Sequence, residues 1–147
     1  MIKIGAMAIV LASGLLLSAK PVDSPADKPH EHGSHEKCAK ACADCMLECE
    51  MCVRHCTTLT AGGKKEHLIT AETCNDCGDV CAAAAKIVAR SGPLAVQVCE
   101  ACLKTCETCA AECEKFPDDA HMKKCAKACR DCAAACKEMV SHKAAAK

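Results

Sequence analysis

The sequence predicts an all-α protein, an antiparallel up-down four-helix bundle with a cysteine-lined core. Three observations carry this. Within each of four segments the cysteines recur only three or four residues apart, the rhythm of one buried helix face. Alanine is abundant, while Gly62-Gly63, Gly92-Pro93 and Pro117 punctuate the cysteine runs as helix stops do. Of 147 residues, 18 are Cys and one is Phe, with no Trp or Tyr, so the aromatic area that usually fills a core is missing.

Residues 1–19 stand apart. Lys3 precedes an apolar run that ends in small residues, with Ala19 suited to be the last residue before cleavage. This is the layout of a secretory signal peptide, and the run is too short to span a bilayer comfortably. The expectation is an exported, periplasmic protein with no membrane insertion after processing. If the segment is not a working signal, the location is the cytoplasm. No twin arginine precedes the run, so the general secretory route is the simpler expectation. Residues 20–36 read as a flexible tether containing Pro21, Pro25 and Pro29 and the cluster His30, His32 and His35. That cluster suits Cu(II) or zinc, or simply a polar tether.

The bundle is expected over residues 37–142. Its first helix spans about 36–59 and carries Cys38, Cys42, Cys45, Cys49, Cys52 and Cys56. The second spans about 71–90, carries Cys74, Cys77 and Cys81, and stops at Ser91-Gly92-Pro93. The third spans about 94–115 and carries Cys99, Cys102, Cys106, Cys109 and Cys113. Phe116-Pro117-Asp118 breaks it, and Asp118 is placed to cap the next helix. The fourth spans about 119–141, with Cys125, Cys129, Cys132 and Cys136; residues 143–147 form a frayed tail. KCAKACADC at 37–45 returns as KCAKACRDC at 124–132. Short connections imply that consecutive helices are antiparallel neighbours.

Antiparallel alignment puts Cys56, Cys74, Cys113 and Cys125 in one layer. The next layers are Cys52/Cys77/Cys109/Cys129 and Cys49/Cys81/Cys106/Cys132. Cys45, Cys102 and Cys136 then meet Ala85, and Cys42 and Cys99 meet Val88 and Met139, leaving Cys38 near His142. In this register the end holding Val88, Leu94 and Met139 is apolar and poor in ligands.

Composition excludes several functions. The formal charge is zero and no basic stripe exists, so nucleic acid is not an expected partner. No Ser/His/Asp set, paired carboxylates or haem motif is present, and the chain is not expected to be an enzyme. Cys38, Cys42 and Cys45 match a CxxxCxxC pattern only because helical spacing generates it. As mere hydrophobes the cysteines would pack worse than Leu or Ile, at a cost of order 1 kcal/mol per site.

Three chemistries compete for the thiols. A disulfide-stapled structural module fits export, but each seam holds far more cysteines than staples need, and bridges within one helix strain the torsion. A zinc or mixed-metal thiolate protein fits four-cysteine layers, although each zinc in such a layer leaves buried negative charge. Cu(I) suits the pattern best. Thiolates are soft and select it, and neighbouring cysteines can share ions. One Cu(I) per thiolate also leaves the core neutral.

The four segments, the inward CxxC and CxxxC spacing and the near absence of aromatics resemble the bacterial copper storage proteins, a cysteine-rich four-helix-bundle family. The resemblance covers about residues 36–141. It implies a core that binds many Cu(I) ions, roughly one per cysteine, with all 18 cysteines as ligands. It also implies a homotetramer for exported members. Those members resemble twin-arginine substrates, whereas here only Lys3 precedes the apolar run. An unidentified copper donor or acceptor is the expected partner besides copper itself.

The end near Cys56 and Cys125 is the expected entrance, with His55, His121 and Met122 as auxiliary ligands. His67 and His142 read as solvated surface residues, and Met46 and Met51 as flank packing. The second helix shows Val80, Ala82, Ala83, Ile87 and Ala89 beside a narrow polar stripe, the pattern expected of an oligomer contact.

Overall fold

The computed structural model describes residues 29–145. The expected signal peptide and residues 20–28 lie outside them, as do residues 146 and 147. Four helices follow one another: α1 (Pro29–Ala61), α2 (Leu68–Ala89), α3 (Ala95–Cys113) and α4 (Ala120–Ala145). A 3-10 turn at Lys65–His67 leads into α2. Each helix packs on its neighbours in sequence, and α1 closes the ring against α4, while the diagonal pairs stay apart. This is the expected up-down four-helix bundle, and the described residues contain no strand. None of these helices is long and apolar enough to cross a membrane.

Several boundaries move outward. α1 starts at Pro29, so residues 29–36, expected within the tether, are helical. A proline at the first helical position gives up an amide that would have no intrahelical partner anyway. At the other terminus α4 runs to Ala145, into the expected tail. α1 also continues two residues past Leu59 to Ala61.

The connections follow helix-stop chemistry. Gly63 adopts φ 98°, a left-handed conformation open to glycine, and the Lys64 amide donates back to the Leu59 carbonyl at 3.0 Å. After α2, Ser91 takes φ 50°, and the Gly92 amide donates to the Ile87 carbonyl at 2.9 Å. α4 is capped by Asp119, not by the expected Asp118. Its Oδ1 accepts from the amides of His121 (2.9 Å) and Met122 (3.1 Å). An N-cap side chain reaches the second and third amides of its helix, and Asp119 directly precedes Ala120.

The core is mostly sulfur and methyl. Every cysteine is at most 2% exposed, and Ala84, Val88, Ala110, Met122, Ala126 and Met139 are among the other buried residues. The small side chains bring the helices close together. At Gly78 an added Cβ would sit 3.2 Å from Glu50 Oε1 and 3.7 Å from Cys49 Cβ, so α1 and α2 nearly touch there. A leucine seam would gain about 2 kcal/mol per buried side chain. Thiols gain less, so this seam gives up stability.

The outer surface departs from expectation. Val80 and Ile87 are half-buried against the bundle's own core, which leaves them less area to offer a partner. Leu94 is exposed and does not close the far end. Ala84, not Ala85, occupies the α2 seam; it lies three residues after Cys81 and four before Val88, which is also fully buried. Among the described residues, the exposed large apolar side chains besides Leu94 are Leu47 and Met51 on α1 and Leu68 and Ile69 at the start of α2.

Candidate metal centre

All 18 cysteines are free thiols. Their sulfurs form a chain of near contacts down the bundle axis. At one end Cys38 Sγ lies 3.7 Å from Cys99 and 3.9 Å from Cys136. Cys42 follows, 3.8 Å from Cys136 and 3.6 Å from Cys132. In the middle Cys45 meets Cys129 at 3.6 Å and Cys106 at 3.9 Å, while Cys81 meets Cys106 at 3.5 Å. Toward the other end Cys49 meets Cys125 at 3.9 Å, and Cys74 meets Cys109 at 3.6 Å and Cys113 at 3.7 Å. A disulfide bond is about 2 Å long, so these are van der Waals neighbours able to bridge ions.

The register differs from the expected one. α1 is displaced by one step, so that Cys52, not Cys56, shares a cluster with Cys74, Cys113 and Cys125. Cys56 instead meets Met122, whose thioether lies 3.9 Å from Cys56 Sγ and 3.5 Å from Cys52 Sγ. The cause is the connection. α1 runs on to Ala61 and the chain returns through the Lys65–His67 turn, which lifts the last turn of α1 past Cys74. One turn before Cys74, α2 contributes the buried Thr70 and Ala71. Cys38, expected to trail alone near His142, joins Cys99 and Cys136.

Several clusters hold four thiol sulfurs within 4.8 Å of one another, among them Cys42/Cys102/Cys132/Cys136 and Cys52/Cys74/Cys113/Cys125. Members are shared. Cys45 and Cys77 belong both with Cys49 and Cys129 and with Cys81 and Cys106. Cys125 links the Cys52 cluster to Cys49, Cys109 and Cys129.

Burial and hydrogen bonding set the proton affinities. Cys56 is pushed up by the hydrogen bond with Cys52 and by burial. Cys74 and Cys113 are raised too, each chiefly through Cys109 and then other thiols. Cys125 moves down, because Cys109 and Cys113 donate to its sulfur. The pattern within this cluster is one favoured thiolate among thiols, as expected where a buried charge must be shared. The helix N-termini contribute little, since Cys74 and Cys125 lie beyond the first turns of α2 and α4.

The histidines divide. His55 Nε2 is 2.7 Å from Asp119 Oδ2, and its ring stacks on His121 at 4.4 Å between centroids. Burial opposes the Asp119 charge, yet His55 and the Met122 amide hold its carboxyl below the usual range. His67, expected at the surface, is buried and stacks on Phe116 at 4.1 Å. No sequence signal marks this, because the stack forms only where the α1–α2 and α3–α4 connections meet. His142 is exposed, 3.9 Å from Glu138. The side chains of His30 and His32 lie outside the described residues.

Residues 31–141 match the copper storage protein family, Csp. The chain belongs to the copper storage protein family. Three solved structures of copper storage proteins are similar to it. The Cu(I)-bound copper storage protein BsCsp3 shares 34% identity over 73% of this chain and 98% of its own, with a TM-score of 0.67. A cytosolic copper storage protein from Streptomyces lividans, with five coppers, shares 28% identity over 78% of this chain and 98% of its own, with a TM-score of 0.69. The Streptomyces lividans protein Ccsp, loaded with 10 copper equivalents, shares 29% identity over 81% of this chain and 93% of its own, also at 0.69. No curated protein sequence matches the chain. The chain buries its 18 cysteines at the centre of four helices.

Proposed function

We propose that this chain stores Cu(I) as a continuous thiolate array, with all 18 core cysteines as ligands and roughly one ion per cysteine. The observation that carries this is the sharing of sulfurs between clusters. Discrete zinc sites need four thiolates each and cannot all fill when Cys45, Cys77 and Cys125 serve two clusters. Cu(I) takes two or three sulfurs and is bridged readily, and one positive charge per thiolate keeps the buried array neutral. Storage requires no catalytic group, so the role is binding rather than catalysis.

Ions enter, on this reading, at the His55 end. With Nε2–H given to Asp119, the free lone pair of His55 is on Nδ1. His121 stacks beside it, and the next residue, Met122, puts its thioether against Cys52 and Cys56. An arriving ion would pass from imidazole to thioether to thiolate, held more firmly at each step.

The pattern of residues 1–19 supports export, and an unidentified donor supplies the copper. A homo-oligomer, the tetramer implied by family resemblance, belongs to the same proposal; exposed Leu47, Met51, Leu68 and Ile69 offer apolar area for it. Cell fractionation and light scattering test these two points. The storage reading itself is tested by metal titration of the reduced chain. Cu(I) should saturate near one per cysteine; saturation at one ion per four cysteines with both Cu(I) and zinc would overturn it.

A further inference from the structure

The repeat of 37–45 at 124–132 has a counterpart in space. α1 and α4 run antiparallel, and their sulfurs pair as a local twofold axis requires. Cys38–Cys136 and its equivalent Cys125–Cys49 are both 3.9 Å apart. Cys42–Cys136 and Cys129–Cys49 are 3.8 and 3.9 Å. Cys42–Cys132 and Cys129–Cys45 are both 3.6 Å. The next pair leaves the thiols. Met122, three residues before Cys125, sets its thioether 3.5 Å from Cys52. On the same repeat the equivalent of Met122 is His35, three residues before Cys38, and the equivalent of Cys52 is Met139. The Lys37–Glu138 ion pair, 2.7 Å, bridges the two helices beside them.

We propose that the array ends here in a second terminal Cu(I) site, in which His35 takes the place that Met122 holds at the other end, with Cys38 as the thiolate and Met139 as a thioether ligand. The proposal rests on the storage reading above. Residues three apart on a helix are neighbours on one face, so His35 and Cys38 can hold one ion between them. The burial suits a terminal site. His35 is half-buried, Cys38 at 2% is the most open thiol of the array, and Met139 is 4% exposed. Water thus reaches the imidazole and stops at the sulfur behind it. An imidazole ligates through one nitrogen and keeps the other for a hydrogen bond. Thiolate and thioether select Cu(I), which takes two or three ligands. Imidazole and thioether add no charge, so the Cys38 thiolate alone balances the ion and the core stays neutral. Binding releases the Cys38 proton to solvent.

The test uses the full reduced chain loaded with Cu(I), its copper content measured first. That content reports on the storage reading independently of the terminal site. The loaded chain is then titrated with the Cu(I) chelator bathocuproine disulfonate, alongside His35→Ala, Cys38→Ser and the double variant. His35→Ala places a better helix former in α1, and circular dichroism checks that it folds. It should hold one ion about tenfold more weakly and leave the retention of the rest unchanged. In the Cys38→Ser background the same substitution should add nothing, because the two residues share that ion. Retention unaltered by His35→Ala, or an equal loss with and without Cys38, would overturn the site while the storage reading stands. An unaltered chain that takes up no copper would overturn both.

Discussion

His55 and Asp119 meet through a 2.7 Å contact between Nε2 and Oδ2 that ties the last turns of α1 to the start of α4. The other oxygen of Asp119 caps α4 through the amides of His121 and Met122. One carboxylate therefore orients an imidazole of the proposed entrance and holds the backbone that carries Met122. Asp119→Ala removes both roles and should cost about 1–2 kcal/mol in denaturant unfolding of the metal-free protein. Asp119→Asn keeps a capping oxygen and should cost less, while both variants take up Cu(I) more slowly. Unaltered uptake in both would separate Asp119 from the entrance.

Met122 is the large side chain at that end, fully buried and 3.5 Å from Cys52 Sγ. Met122→Leu conserves volume and should change stability by less than about 1.5 kcal/mol. It removes the thioether, so the last ion bound should be held about tenfold more weakly against a competing chelator, equivalent to about 1.4 kcal/mol. If the isotherms superimpose, the thioether is packing and not a ligand.

Gly78 sits mid-helix in α2, where glycine costs about 1 kcal/mol relative to alanine. The close neighbour of an added Cβ is the flexible, exposed end of Glu50, at 3.2 Å. Gly78→Ala should therefore raise metal-free stability by about 0.5–1 kcal/mol as Glu50 swings aside. A loss of stability would show that α1 and α2 cannot separate even slightly.

The raised thiols give the metal-free bundle an alkaline limit. Cys56, Cys74 and Cys113 keep their protons in the fold beyond the ordinary thiol value of 9.0. In the unfolded chain the same groups lose protons as the pH passes that value. The unfolded state then binds fewer protons than the folded one, so stability falls above about pH 9, by about 1.4 kcal/mol per pH unit for each such thiol. Below that pH these groups are protonated in both states and contribute no slope. Cu(I) replaces the protons, so the loaded protein should lack this limit. Circular dichroism against pH for the two forms checks it.

The four helices and the facing of every cysteine were legible because spacing of three and four residues admits one geometry. The ends and the register were less so. A cysteine ladder looks the same after sliding by one step, and nothing in the spacing distinguishes Cys52 from Cys56 as the partner of Cys74. The decision falls to the α1–α2 connection, where Ala61, the left-handed Gly63 and the Lys65–His67 turn set the offset. Asp118 and Asp119 are equally good capping residues by type, and only the position of Pro117 and the helix start chose between them. His67 reads as polar from sequence, while its stack on Phe116 depends on two loops meeting.

On the proposed function, Cu(I) occupies a single shared array running from Cys38 to Cys56. Anomalous diffraction at the copper edge from Cu(I)-loaded crystals tests it most directly. The account predicts copper sites strung along the whole bundle axis, bridged by cysteines such as Cys45 and Cys125, from the Cys38/Cys99/Cys136 end to Met122. Isolated ions in separate four-sulfur sites, with Cys38 and Cys56 bare, would contradict it.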